Sequence, residues 1–254
     1  MLVSFVVSSE IPALASISHI HQLEIFKDKI LLGTHEGLFE LQSKGKMTRI
    51  GRDTFDVMGL AVLGDDIYAS GHPGVGDTRP NPLGLLTSSD SGKSWRQVSL
   101  KGKVDFHLLE VSPQEILGGD SASGELLYSN DFGKTWERRG KNVFEDIALS
   151  PSKAGFGFGI SDGRVFSSKD RFKSWQELKL NGDFTQIAWT NKAILLADQR
   201  TLLVSRDLGK SWRKLVSFKG LIGVLKATPT LIVATVGDKV YESTNAGISF
   251  SLRN

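Results

Sequence analysis

Short apolar runs and alternating segments take turns along this chain, and nowhere do they settle into a useful length of helical periodicity. The continuous runs are ILLGT (30–34), IYASG (67–71), ILGGD (116–120), FGFGI (156–160), ILLAD (194–198) and LIVAT (231–235). Each follows an alternating segment: HIHQLEI (19–25), DVMGLAV (56–62), DFHLLEV (105–111), FEDIAL (144–149), DFTQIAW (183–189) and LIGVLKA (221–227). A third short segment comes next, as in LLTS, LLYS, VFSS, LLVS or VYES. Runs of this length, bounded by Gly and small polar residues, read as β-strands. The pattern predicts an all-β chain built from six similar sets.

The third segment runs into a recurring eight-residue phrase. It reads SSDSGKSW from Ser88, SNDFGKTW from Ser129, SKDRFKSW from Ser168 and SRDLGKSW from Ser205, with a degraded copy, STNAGISF, from Ser243. The closing aromatics Trp95, Trp136, Trp175, Trp212 and Phe250 lie about 40 residues apart, a spacing that marks a repeat architecture. Each phrase predicts a hairpin turn. The carboxylates of Asp90, Asp131, Asp170 and Asp207 accept backbone N–H groups, Gly takes a positive φ, and the aromatic fills a gap. Phe172 replaces that Gly in the third copy, so this turn is expected to be strained or differently shaped. Asn245 replaces Asp in the last, keeping an acceptor without its charge. The four tryptophans are expected to be largely buried.

These phrases resemble the Asp-box, or BNR, repeat of β-propellers, found in sialidases, sortilin-type receptors and a photosystem II assembly factor. The stretches SHIHQL, YASGHPG, NPLGLLTSSDSGKSW and VDFHLL further resemble a bacterial Asp-box family labelled glycosylhydrolase, over roughly residues 16 to 112. The resemblance implies an all-β, six-bladed β-propeller of four-stranded antiparallel blades, strand A innermost and D outermost, with the box as the C–D turn. The blades fall at roughly 16–51, 52–103, 104–142, 143–182, 183–220 and 221–254 of a single domain. Seven blades is the alternative if residues 1–15 supply more than one strand. Blade one lacks a box, and Lys44-Gly45-Lys46 supplies a plain turn. The ring is expected to shut by packing of blade six, ending in a strand at Phe250–Leu252, against blade one.

Composition narrows the function. The 254 residues suit one all-β domain, and no segment approaches the ~18 apolar residues of a membrane helix. A net charge of +3 gives no field for nucleic acid. With no cysteine, disulfides, thiolate metal sites and cysteine nucleophiles are excluded. Leu2 to Val7 reads as an extra strand or the vestige of a leader, so the chain is cytoplasmic as encoded, or exported if residues 1–15 derive from a leader. A monomer is expected.

Strand direction points to candidate chemistry. The start of strand A and the B–C loop share one face, and all five histidines fall there. His19 and His21 open strand A of blade one, His107 stands in the column of His21, and His35 and His72 follow strand B at matching positions. Asp56, Asp105 and Asp183 share the column of His19, and Glu145 that of His21. The long loop from His72 to Pro82 adds Arg79. Imidazoles and carboxylates suit a divalent transition metal, zinc or copper, with His19, His21, His35, His72 and His107 as candidate ligands. A small molecule or glycan is the other expected occupant, held by the same histidines with Asp56, Asp105, Asp183 and Arg79. Asp56, Asp105 and Glu145 are the candidates for a glycosidase carboxylate pair. Sialidase chemistry is not expected, because Tyr68, Tyr128 and Tyr241 lie within strands rather than at the mouth. A third reading is a protein-interaction or assembly scaffold, with Lys93, Lys134, Lys173 and Lys210 forming a basic arc on the box side.

Overall fold

The structure, a computed structural model, describes residues 20–42 and 45–253. It is all-β: six four-stranded antiparallel sheets in sequence order form a six-bladed β-propeller. Blade one holds β1 (Ile20–Phe26), β2 (Lys29–Thr34), β3 (Gly37–Leu41) and β4 (Met47–Arg49); blade two holds β5 (Asp56–Leu63), β6 (Asp66–His72), β7 (Leu85–Ser88) and β8 (Arg96–Ser99). Blade three comprises β9 (Phe106–Val111), β10 (Ile116–Asp120), β11 (Glu125–Ser129) and β12 (Glu137–Lys141). In blade four come β13 (Asp146–Leu149), β14 (Gly157–Ser161), β15 (Arg164–Ser168) and β16 (Gln176–Glu177). Blade five is β17 (Phe184–Trp189), β18 (Ile194–Asp198), β19 (Thr201–Ser205) and β20 (Arg213–Ser217). Blade six ends the ring with β21 (Ile222–Ala227), β22 (Ile232–Val236), β23 (Lys239–Ser243) and β24 (Ser251–Leu252). Six blades, not seven, therefore account for the described residues. The N-terminal segment read as a leader or extra strand lies outside them.

Apolar side chains concentrate between neighbouring blades. Leu31 and Leu38 meet Phe55, Val57 and Ile67 between blades one and two. Leu85 meets Phe106 and Leu109 between two and three, and Leu117 and Leu126 meet Phe144 and Ile147 between three and four. Phe158 and Ile160 pack on Phe184 and Ile187, and Leu195 and Val204 on Leu225 and Ile232. The sixth core joins Leu23, Leu32 and Phe39 of blade one to Leu231 and Val233 of blade six. Side-chain packing thus shuts the ring, and among the described residues no strand crosses from one blade into another.

The Asp boxes share one hydrogen-bond scheme. Ser88 Oγ donates to Asp90 Oδ1 (2.8 Å) and accepts from Gly92 N (2.9 Å). Ser94 then donates to Asp90 through both N (2.9 Å) and Oγ (2.6 Å). Ser129–Thr135 and Ser205–Ser211 repeat the scheme. The plain turn of blade one is closed instead by Gln42 N donating to Lys46 O (2.8 Å). In the last copy Asn245 accepts from Ser249 N (3.0 Å) and donates to Ser249 Oγ (2.8 Å).

The glycine of each box has a second function. At Gly92, Gly133 and Gly247 φ is near +82°, and an added Cβ would fall 2.2–2.4 Å from Leu38, Leu85 or Leu215 of the preceding blade. The turn is therefore tucked against its neighbour. Phe172 keeps the scheme, with Ser168 Oγ accepting from its N (3.1 Å) and Ser174 Oγ donating to Asp170 (2.6 Å). Its φ of +62° is strained for a side chain, but the shape of the turn is unchanged and the ring is fully buried against Tyr128 and Trp175. Trp95, Trp136, Trp175 and Trp212 depart from expectation: each is only partly buried. They open the outermost strand, so solvent covers one side. The other side meets Phe55, Phe106 or Phe144 in blades two to four.

Hydrogen bonds from the box Ser or Thr hold Asp90, Asp131, Asp170 and Asp207 down at about 2, below the ordinary carboxylate value. A lowered folded-state value stabilises the fold above the unfolded value near ~4, and that stability disappears as pH falls through about 2. Stability should therefore decline with pH between about 4 and 2. Asp131→Asn, which imitates the last box, should flatten that decline in denaturant melts taken at stepped pH. An unchanged slope would exclude Asp131 as a contributor.

Candidate functional site

The chemistry-bearing residues are placed by irregularities in the innermost strands. In β1, Ile20 pairs with Thr34 and Gln22 with Gly33, which leaves His21 outside the ladder. The same bulge leaves out Met58 in β5, His107 in β9 and Thr185 in β17. A bulge inserts one unpaired residue and re-aims its side chain. His35 and His72 sit where strand B turns into strand C. Register pairs His72 with Asp56, whereas Ser88 at the start of a box pairs with Ile67 at the other end of the sheet. Boxes and histidines therefore lie at opposite ends of the blade.

Four histidines and two aspartates gather into two sets. In the first, His35 Nδ1 lies 2.9 Å from Asp56 Oδ2, while His21 Nε2 lies 3.4 Å from Asp56 Oδ1 and 3.2 Å from His35 Nδ1. In the second, Asp105 Oδ2 is 2.7 Å from His107 Nε2 and 3.2 Å from His72 Nε2. Within each set one candidate ligand atom per residue lies within 4.8 Å of the others. The aspartate opens strand A of one blade and meets the B–C histidine of the blade before it.

Neighbouring groups hold these residues in place. Thr34 Oγ1 donates to Gly37 O and accepts from Glu36 N, closing the turn that carries His35. Gly71 has φ +150°, and a Cβ there would fall 1.8 Å from Asp56 O, so only glycine lets β5 and β6 approach at the site. His72 Nδ1 bonds Asn81 Oδ1 (2.8 Å), which leaves Nε2 toward Asp105. An oxygen acceptor on one ring nitrogen is the usual way to orient a ligating imidazole. Ser121 Oγ donates to Asp105 Oδ2 (2.6 Å), and Asp120 Oδ1 accepts from Asp105 N (2.9 Å).

Charge follows this geometry. The Asp105 hydrogen bond raises His107 above the ordinary histidine value, against the opposing effect of burial. Burial pushes Asp105 up, but the bonds from His107 and Ser121 and the nearby imidazoles outweigh it and hold the carboxyl low. Asp105 is only 4% exposed, yet its Oδ1 has no hydrogen-bond partner among the described residues, whereas Asp56 Oδ1 faces His21 Nε2 at 3.4 Å. The second set thus contains a buried carboxylate oxygen with unused acceptor capacity.

The remaining candidates lie elsewhere. His19 is outside the described residues. Exposed Asp183 accepts from Gln199 (2.7 Å), and exposed Glu145 accepts from Asp162 N (3.3 Å), each within its own blade. Arg79 bonds Asp53 and Asp77, both at 2.6 Å, and covers the Phe55 ring, so it anchors the long loop.

A second polar group went unread in the sequence. Lys226 Nζ lies 2.6 Å from Glu24 Oε1 and 3.4 Å from Glu110 Oε1, tying blade six to blades one and three. They border a cavity of about 550 Å³ whose wall includes Lys27, Gly64, Pro113, Asn191 and Pro229. Burial pushes Glu110 up to about 8, against the pull of Lys226, and raises Asp146 to about 6. Glu24, Glu110 and Lys226 share one column of the strand-A alignment, and that column was the available signal.

The BNR/Asp-box repeat model matches residues 127–138. A search of curated protein sequences finds no match. Among solved structures, YCF48 bound to D1 peptide is 17% identical, with 88% of this chain and 77% of that one covered at a TM-score of 0.56. The GH74 xyloglucanase from Xanthomonas campestris is 13% identical over 88% of this chain, at a TM-score of 0.60. Only 43% of that enzyme is covered, so this chain spans less than half its length. The computationally designed Ika8 protein is 11% identical, with 93% and 73% covered, at 0.53. At these identities the likeness establishes the fold alone. The chain is a six-bladed β-propeller carrying the BNR/Asp-box repeat.

Removing Lys226 would leave Glu24 and Glu110 facing each other without a cation. Lys226→Met should cost about 1–3 kcal/mol, less than the loss of a partner from a fully buried pair, because all three side chains are only partly buried. Adding Glu24→Gln and Glu110→Gln should restore most of it. Thermal melts of the single and triple variants at neutral pH test this, and a triple variant no better than the single would refute charge imbalance as the cause.

Proposed function

We propose that this propeller binds a divalent transition metal, zinc or copper, at the channel mouth opposite the Asp boxes. The observation that carries this reading is the pair of His₂Asp sets, with candidate ligand atoms within 4.8 Å of one another in each and, in the second, an Asp105 oxygen without a hydrogen-bond partner among the described residues. Two imidazoles and a carboxylate form a borderline donor set suited to these ions. His21, His35 and Asp56 would hold an ion in the first set, and His72, Asp105 and His107 in the second. The anionic state of Asp105 and the orientation of His72 by Asn81 favour ligation over proton donation. That same state speaks against Asp105 as the acid of a glycosidase, which must carry a proton.

Elemental analysis and calorimetric titration with zinc and copper test the proposal. The purified chain should take up metal, and His21→Ala with His72→Ala should abolish uptake. Melting of the metal-free protein should change little, because both rings are partly exposed. Affinity should fall as pH drops, because a ligating imidazole must be free of its second proton. A chain that takes up neither ion sinks the reading. Hydrolysis of aryl glycosides, lost on replacing Asp56 or Asp105, would promote an enzyme in its place. If neither uptake nor turnover is seen, the histidine-bearing face remains as the contact surface of a binding scaffold.

A further inference from the structure

The two sets are built differently around their rings. His72 Nδ1 donates to Asn81 Oδ1 at 2.8 Å. An amide oxygen only accepts, so the proton of the neutral ring sits on Nδ1. Nε2 is then a bare lone pair, and it faces Asp105 Oδ2 at 3.2 Å. Two acceptors so close call for a cation between them. Asp105 Oδ1, buried and without a hydrogen-bond partner among the described residues, adds acceptor capacity beside them.

The first set has no such arrangement. His21 Nε2 and His35 Nδ1 lie 3.2 Å apart, and the same two nitrogens face Asp56. The atoms an ion would need are there engaged with one another. His72 instead spends its proton on the side of the ring away from the carboxylate.

Asn81 is itself exposed, so its bond to His72 competes with water. The loop that carries it is tied down on both sides. Before it, Arg79 donates through Nε to Asp77 Oδ2 (2.7 Å) and through Nη2 to Asp53 Oδ1 (2.6 Å). A Cβ on Gly74 would fall 2.5 Å from Thr54 O, so the loop lies directly on that segment. After it, Leu83 N donates to Gly71 O and Gly102 N to Pro82 O, both at 2.8 Å.

We propose that Asn81 is a positioning residue for metal binding: by fixing the tautomer of His72 it makes the second set the tighter of the two sites. This rests on the proposed metal reading and orders its two sets.

The test uses the metal-free full chain and zinc titrated by calorimetry. His21→Ala isolates the second set and His72→Ala the first, and the second should be the tighter. Added to His21→Ala, Asn81→Ala should weaken zinc by about tenfold or more, and Asn81→Asp, which keeps the acceptor, should restore it. Added to His72→Ala, Asn81→Ala should change affinity by less than about twofold. Nitrogen NMR of the metal-free wild-type chain at mildly alkaline pH should show His72 protonated at Nδ1 alone, a preference that Asn81→Ala removes.

A first set as tight as the second, or unchanged affinity on Asn81→Ala in the His21→Ala chain, overturns the proposal while leaving zinc binding in place. Equal weakening in both backgrounds shows that Asn81 only supports the structure, and overturns it too. So does a His72 ring protonated at Nε2 in the wild-type chain. Failure of the wild-type chain to bind zinc or copper removes the metal reading and this proposal with it.

Discussion

Packing of one blade against the next is the interaction on which everything else here depends. A twisted four-stranded sheet has two apolar faces and cannot cover either alone. Every substantial core in the described chain lies between sheets, including the one where Leu23 and Phe39 meet Leu231 and Val233 to close the ring. The boxes serve this packing. Their glycines let a turn press on Leu38, Leu85 or Leu215 of the preceding blade, and the carboxylate network keeps that turn in shape. Where Phe172 takes the glycine's place, its own ring fills the space instead. Blade one, without a box, buries Met47 wholly in the core it shares with blade six.

Much of this was legible in the residues because repetition reports architecture directly. The spacing of the box aromatics required a repeat, and strand direction placed the histidines away from the boxes. The tryptophans misled, since a motif shows where a side chain sits along a strand but not how much solvent reaches the outermost one. The histidines were legible as a single cluster, whereas the fold sorts four of them into two sets. That division arises from which blade's Asp meets which B–C turn, a relation between blades that no single repeat encodes.

The bulges left a trace that strict alternation hides. Buried apolar positions in strand A are separated by three residues, not two: Val57 and Leu60, Phe106 and Leu109, Phe184 and Ile187, Ile222 and Leu225. A regular strand would send such pairs to opposite faces. One unpaired residue restores both to the core and turns the extra side chain toward the mouth. Read this way, the sequence marks His21, Met58, His107 and Thr185 as a class.

This arrangement separates function from stability. An inserted residue lies outside the ladder, so its identity is free to vary without disturbing the register on which the inter-blade cores rely. Thr185 shows the freedom plainly: it takes the same position in blade five with its Oγ1 buried and unbonded among the described residues. The distant likenesses, to a peptide-bound protein, a xyloglucanase and a designed protein, fit the same logic, since a shared fold constrains only what packs between blades. Specific chemistry must then come from the few residues that packing does not claim. In this chain those are the bulged side chains and the aspartates and turn histidines beside them. Four imidazoles and two carboxylates gather there in two sets, and on them the proposed function rests.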